Sequence, residues 1–267
     1  MKLSIGQAWD EAKGVFRADG KAIFAVALAL TVLPGAILET ISPSGLRSQE
    51  VPWWIALFGL ISALLSLTSQ IAISRIAIGY PATVGEVLAL AFRRLPALFG
   101  ALLLAILPFA LMLTALGMSQ GADLTPATVP PGLAGAVSLI LLVGIFVLIR
   151  LLFLTPLAAD RGGGPIALLK EAWQLSRGHF LKLLGLILIM ALVAALLVWG
   201  LGSALSTVVL VALGPIAAGN VSAALVALIQ QGLAAIVSVL FVVVVCRLYV
   251  QATGGGTVAS VPHAGGD

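Results

Sequence analysis

The sequence predicts an all-α, polytopic membrane protein: six transmembrane helices in three repeated hairpins, each preceded by an amphipathic helix in the cytoplasmic interface. Three observations carry this expectation. First, 61% of the 267 residues are hydrophobic and 9% charged, with a mean hydropathy of +1.20. Soluble chains carry roughly 25% charged residues, because a folded surface needs groups that water solvates. Second, six apolar stretches reach the length of about 20 residues that a hydrocarbon core of roughly 30 Å requires. Third, 13 of the 14 Lys and Arg residues fall on one side of the implied topology, which the positive-inside rule makes the cytoplasmic side.

The spans follow in order. Ala22 to Ile41 is the first. The preceding residues include Asp10, Glu11 and Asp19, unlike the short basic leader of a signal peptide, so it is expected to be retained. Trp53 to Ile73, Leu95 to Met118 and Gly132 to Pro156 are the next three. Between Lys182 and Arg247 there is no charge at all. The run divides at Gly214 to Asn220, where Gly, Pro and Asn mark a turn, leaving Leu183 to Leu213 and Val221 to Tyr249. The fifth segment exceeds the bilayer thickness, so a tilt or a break near Gly200 and Gly202 is expected. Pro34 and Pro108 each remove a backbone hydrogen bond and favour kinks. Both termini are then cytoplasmic, with residues 1–253 forming one membrane domain and 254–267 a disordered tail.

The segments ahead of the odd spans have helical periodicity. Ile5, Ala8, Trp9, Ala12 and Phe16 share one face, as do Ile166, Leu169, Trp173, Ser176 and Phe180, and as do Val84, Val87, Leu88, Ala91 and Leu95. Such faces lie in the membrane interface, and the indoles of Trp9 and Trp173 suit the headgroup level as interfacial anchors. Two copies share literal sequence: Ala8-Trp9 with Lys13-Gly14-Val15-Phe16 matches Ala172-Trp173 with Arg177-Gly178-His179-Phe180. The middle copy has neither the Trp nor the Gly. Near the ends of the even spans Arg75, Arg150 and Arg247 are each followed by five uncharged residues and then Pro or Thr. The repeats are therefore expected at roughly 1–81, 82–157 and 164–253, a period of about 80 residues, either enclosing a pathway or recording duplication of a packing unit.

The run from Gly164 to Phe180, GPIALLKEAWQLSRGHF, resembles the signature of the bacterial glycerophosphoryl diester phosphodiesterase membrane-domain family and its uncharacterised six-span relatives. The resemblance implies a multi-spanning inner-membrane protein, and no catalytic residue of that membrane domain carries over to this chain.

Chemistry has little to work with. Cys246 is the only cysteine and His179 and His263 are far apart, so neither a thiolate nor a histidine metal site is expected. Gly162-Gly163-Gly164 lacks a following Gly-Lys-Ser/Thr and reads as a turn. A metal-dependent phosphodiesterase needs clustered carboxylates and histidines, so no catalytic residue, no cofactor and no metal are expected, and no nucleic-acid partner. The sharpest polar candidates are Arg75, Arg150, Arg247 and Arg177, as lipid-phosphate or ion-pair groups. Arg150 can snorkel to phosphates or pair with Glu11, Glu86 or Glu171, and the three span-ending arginines read either as lipid contacts or as topology anchors. Glu39 reads as an intramembrane carboxylate or as an outer-interface group. Gln70, Gln230 and Gln231 read as interhelical hydrogen bonds, and Ser62/Ser66, Gly202/Ser206 and Ala234/Ser238 as close-packing pairs. The expected function is non-enzymatic binding or organisation of lipids at the cytoplasmic leaflet, the alternative being a transporter or channel component for a small or lipid-like solute. Membrane lipids are the expected partners, with a second copy or another membrane protein as further candidates.

Overall fold

A computed structural model describes residues 3–41, 52–80, 82–120, 131–214 and 219–254. Arg47, Glu50, Asp123, His263 and the tail beyond Gly254 lie outside the described residues, as does most of the expected turn at 215–218. Every regular element among the described residues is helical: α1 (Ile5–Ala27), α2 (Leu33–Ile41), α3 (Trp53–Ile78), α4 (Val84–Gln120), α5 (Pro131–Arg150), α6 (Leu154–Asp160), α7 (Pro165–Leu175), α8 (Phe180–Ala194), α9 (Gly202–Leu213) and α10 (Val221–Thr253). Six helical stretches are long and apolar enough to cross a membrane: Ile5–Ile41, Trp53–Ile78, Val84–Met118, Leu133–Asp160, Phe180–Leu213 and Val221–Thr253.

Sequence sets the helix starts. Ser4 accepts from the Gln7 amide at 3.3 Å, and Asn220 from the Ala223 amide at 2.7 Å. Thr83 and Glu86 form a reciprocal capping box, with the Thr83 amide donating to Glu86 Oε2 at 2.8 Å and the Glu86 amide donating to Thr83 Oγ1 at 3.4 Å, so two otherwise unpaired donors are satisfied.

Among the described residues the segment ahead of an odd span forms a helix of its own only once. α1 runs from Ile5 without interruption into the first span, and α4 from Val84 through the third. Only α7 is separated from its span, by a turn at Ser176–His179 in which Gly178 sits at φ 81°. The first copy has glycine at the matching Gly14, so glycine alone does not make the break. At this turn the Ser176 hydroxyl donates to the Trp173 carbonyl at 3.0 Å, and the matching Ala12 of the first copy has no hydroxyl.

The long spans are irregular where strain was expected, with one exception. Leu28–Val32, just before Pro34, and Ala195–Leu201, just before Gly202, are π-helical, so the fifth span changes its winding at the expected Gly200–Gly202. Pro96 and Pro108 instead sit inside the unbroken α4. The unexpected break is in the fourth span, where α5 stops at Arg150 and a turn at 151–153 leads into α6. Arg247 does not end its span either, since α10 continues for six residues to Thr253.

α10 is the central helix: 56% of its most apolar stretch is buried, against 28% or less in the other spans. It packs on α1, α2, α3, α8 and α9. The core gathers at one end, from Ala8 and Ile23 of α1, Ile71 to Ala77 of α3, Val87 to Ala101 of α4 and Val242 to Val250 of α10. This is the basic end. There Lys182 Nζ donates to the Leu3 carbonyl at 2.8 Å, and the Ser4 amide donates to Gln251 Oε1 at 3.1 Å. At the opposite end the Gly219 amide donates to the Thr40 carbonyl at 2.9 Å. Outward faces carry large exposed apolar side chains such as Leu111, Leu142, Leu196 and Trp199, a surface that lipid solvates and water does not.

Midway along α10, Gln230 and Gln231 point to different neighbours. Gln230 Nε2 donates to Ser206 Oγ at 3.2 Å, the interhelical bond expected of it. A Cβ on Gly202 would lie 2.8 Å from Gln230 Oε1, and one on Gly35 2.9 Å from Gln231. The Gly202/Ser206 pair thus admits a polar side chain between helices. Ala234 and Ser238, expected to close a helix contact, instead line an open recess of about 350 Å³ between α8 and α10. Gly202→Val should therefore lower the thermal midpoint in detergent by the equivalent of about 1–3 kcal/mol. Pairing it with Gln230→Ala should restore part of the loss; an additive double variant would contradict the contact.

Candidate functional site

The short helix α6 organises the basic end. Its last carbonyls have no partner within the helix, and two arginines from other spans supply donors. Arg94 Nη1 of α4 donates to the carbonyls of Ala158 at 2.8 Å and Ala159 at 2.6 Å, and Arg75 Nη1 of α3 donates to Ala159 at 3.3 Å. Cations at a helix C-terminus also meet the negative end of its dipole. The two guanidinium groups are close enough for Arg75 to oppose the charge on Arg94; the shared carbonyl offsets that repulsion.

Asp160, the final residue of α6, completes the cluster. The chain has two tyrosines, and both donate to this carboxylate: Tyr80 to Oδ1 at 2.6 Å and Tyr249 to Oδ2 at 2.7 Å. Arg75 also lies over the Tyr80 ring, its Cζ 3.5 Å from the ring centroid, a cation–π contact. Next in sequence, Arg161 Nε stands 3.8 Å from Asp160 and its Nη1 pairs with Glu171 of α7. A recess of about 90 Å³ beside Gly79, Tyr80, Asp160, Tyr249 and Thr253 has room for on the order of three waters.

Of the arginines expected as site residues, Arg75 alone joins this cluster. Arg150 reaches none of the carboxylates proposed for it, because Glu171 is taken by Arg161 and Glu86 by Thr83. Its guanidinium lies 5.4 Å from the centroids of both Phe146 and Trp173, and its Nε and Nη1 are buried without a hydrogen-bond partner. Aromatic faces thus replace the expected acid. Arg247 Nε is likewise buried without a partner. Asp160, Tyr80, Tyr249 and Arg94 were not singled out by sequence. The available signal was the tyrosine count: each stands within five residues after Arg75 or Arg247.

Arg177 belongs to a second arrangement. A groove of about 680 Å³ runs between α4, α5 and α7, with a floor that includes Leu104, Pro108, Phe109 and Leu151 and a rim of Lys170, Trp173, Gln174 and Arg177. Neither Lys170 nor Arg177 is in an ion pair among the described residues. The groove is apolar at depth and cationic at one edge. Trp173 is exposed to the same 37% as Trp9, and each follows a fully buried alanine, Ala172 and Ala8. Ala91 followed by the half-exposed Phe92 has the same arrangement in α4. Among the described residues no three of His, Cys, Asp and Glu are grouped as metal ligands would be.

No family model matches this chain, no curated protein is significantly similar to it, and no solved structure matches its fold.

The hydrogen bond to Asp160 is the main cause holding the Tyr80 hydroxyl above its ordinary pKa of 10.0; partial burial and the carboxylate charge add to it, and Arg75 opposes it. A raised tyrosine pKa means that the bond stabilises the fold fully below about pH 10 and is lost as pH rises through the folded-state value. In a Tyr249→Phe variant, tyrosinate absorbance reports Tyr80 alone. Its midpoint should lie above pH 10 and fall back when Asp160→Asn is added; an unmoved midpoint would remove the hydrogen bond as its cause. Tyr249→Phe itself should cost about 1.5–3 kcal/mol, as expected for a hydrogen bond to a charged group.

Proposed function

We propose that this protein is a non-enzymatic lipid-binding membrane protein whose α7 groove holds an anionic phospholipid at the cytoplasmic leaflet. The observation that carries the reading is the groove, which matches a phospholipid in both halves. The Leu104–Phe109 stretch of α4 and Leu151 suit acyl chains, and Lys170 and Arg177, free of acidic partners among the described residues, suit a phosphate. An anionic headgroup gains about 1 kcal/mol from each nearby Lys or Arg. Trp173 at the rim suits the headgroup level.

Orientation belongs to the same proposal. The gathering of Arg75, Arg94, Arg150, Arg161 and Lys182 toward the end that also holds Leu3 and Gln251 supports cytoplasmic termini in an inner membrane. The three buried-alanine, exposed-aromatic steps at Ala8-Trp9, Ala91-Phe92 and Ala172-Trp173 support three hairpin repeats. The non-enzymatic reading is supported by the engagement of the carboxylates at this end: Asp160 accepts from two tyrosines, Glu171 from Arg161, Glu86 from Thr83 and Asp10 from Lys13. The likeness of residues 164–180 to the phosphodiesterase membrane-domain family is in keeping with this reading.

One observation favours the second reading, passage of a lipid-like solute. The break between α5 and α6 borders a partly open cavity of about 330 Å³, and broken helices beside cavities are how many transporters build their sites.

Replacing both rim cations, Lys170→Gln with Arg177→Gln, should remove about 2 kcal/mol of headgroup attraction. Native mass spectrometry of the purified protein should then show loss of a bound anionic phospholipid. An unchanged lipid count would refute the groove as a headgroup site.

A further inference from the structure

The partly open cavity beside the broken fourth span has features that together specify an occupant. It lies between α3, α4, α10 and the broken fourth span, and its polar lining consists of Gln70, Thr155 and Ser238, with no charged residue. Gln70 is eight residues from the end of α3 at Ile78, which sets it about 12 Å inside the basic end at 1.5 Å per residue. At about 30 Å³ for each water-sized group, the space accommodates on the order of ten methylenes.

The backbone around it is irregular. The Leu152 amide bonds to the Ile149 carbonyl at 3.3 Å and the Leu154 amide to Leu151 at 2.9 Å, a tighter winding than the α-helix has. Pro156 has no N–H to give the Leu152 carbonyl. Irregular backbone at membrane depth is tolerated where protein or a cavity covers it, and Leu151, Leu152 and Pro156 all line this one.

The cavity and the α7 groove have a common wall, since Ala105 and Leu151 line both. On its other side it adjoins the recess between α8 and α10 through Ser238 and Phe241. From the groove, the way into the cavity runs past the small side chain of Ala105. An apolar chain can enter without removing water from any charge. A space left empty forfeits dispersion contacts along its whole lining.

We propose that one acyl chain of the phospholipid in the groove passes between Ala105 and Leu151 and lies in the cavity beside Gln70, Thr155 and Ser238. This rests on the groove reading and adds to it: the bound lipid is inserted between hairpins, with its headgroup on Lys170 and Arg177 and one chain inside the protein.

The test uses the full chain in nanodiscs containing phosphatidylglycerol with a photoreactive diazirine midway along one acyl chain. After illumination, cross-links should map to peptides carrying Gln70, Thr155 and Ser238. Ala105→Trp should abolish this interior labelling, and Leu151→Ala, which widens the passage, should raise it severalfold. The opposite responses separate a blocked passage from a misfolded protein. Labelling confined to outward-facing positions such as Leu139 and Trp199 would overturn the proposal. If labelling is confined to those outward positions while the parent still retains lipid that the Lys170→Gln/Arg177→Gln variant loses, the groove site stands and only the inserted chain is removed. Interior labelling that persists in the rim variant would break the link between headgroup and chain and overturn the proposal as well.

Discussion

The capping of one seven-residue helix holds the basic end together. α6 ends inside a cluster of groups from three different spans. Its last carbonyls accept from Arg94 and Arg75, and its terminal carboxylate accepts from Tyr80 and Tyr249. The donors come from the second, third and sixth spans and the acceptors from the fourth. The bonds of Arg94, Arg75 and Tyr249 are partly buried, and a polar group left unpaired in such a place is costly. The cluster therefore aligns the hairpins at the basic end, where the hydrophobic core is also concentrated. Away from it the bundle opens and lipid takes over the solvation of its outward faces.

That asymmetry explains why space for a ligand lies where it does. Apolar side chains gain little by leaving lipid for one another, so hairpins stay close only where polar contacts or small residues bring them together. Beyond α6 the fourth span turns at 151–153, and the third span passes it as the unbroken α4. An unbroken helix beside an interrupted one leaves a wedge between them. The groove and the cavity occupy the two sides of this wedge, separated by Ala105 and Leu151. Filling it with acyl chain would supply the contacts that the side chains do not make with each other.

Legibility in the sequence varied with the range of the interaction. The six apolar stretches were legible because crossing a bilayer is a length requirement that each segment meets alone. So was the irregular winding before Pro34 and Gly202, where local backbone chemistry decides. The separate interfacial helices were legible only for α7. The copies match at Gly14 and Gly178, yet the chain breaks at the second and runs on as one helix through the first. Arg150 illustrates the opposite limit. Its charge suggested an acidic partner, yet Arg161, the nearer cation to Glu171, takes that carboxylate and leaves Arg150 against Phe146 and Trp173.

By itself the sequence determined the helical class, the number of spans and the end of the bundle at which cations collect, because hydropathy and charge act residue by residue against the bilayer. Only the tertiary structure decided that both tyrosines meet Asp160 and that Arg94 reaches α6 from 64 residues away. It likewise decided that the Ala234/Ser238 stripe faces an open recess. Those outcomes depend on which helices become neighbours and at what rotation. In lipid that choice rests on a few polar contacts and on the fit of small side chains, and the fourfold spacing of small residues does not say which helix each pair will meet.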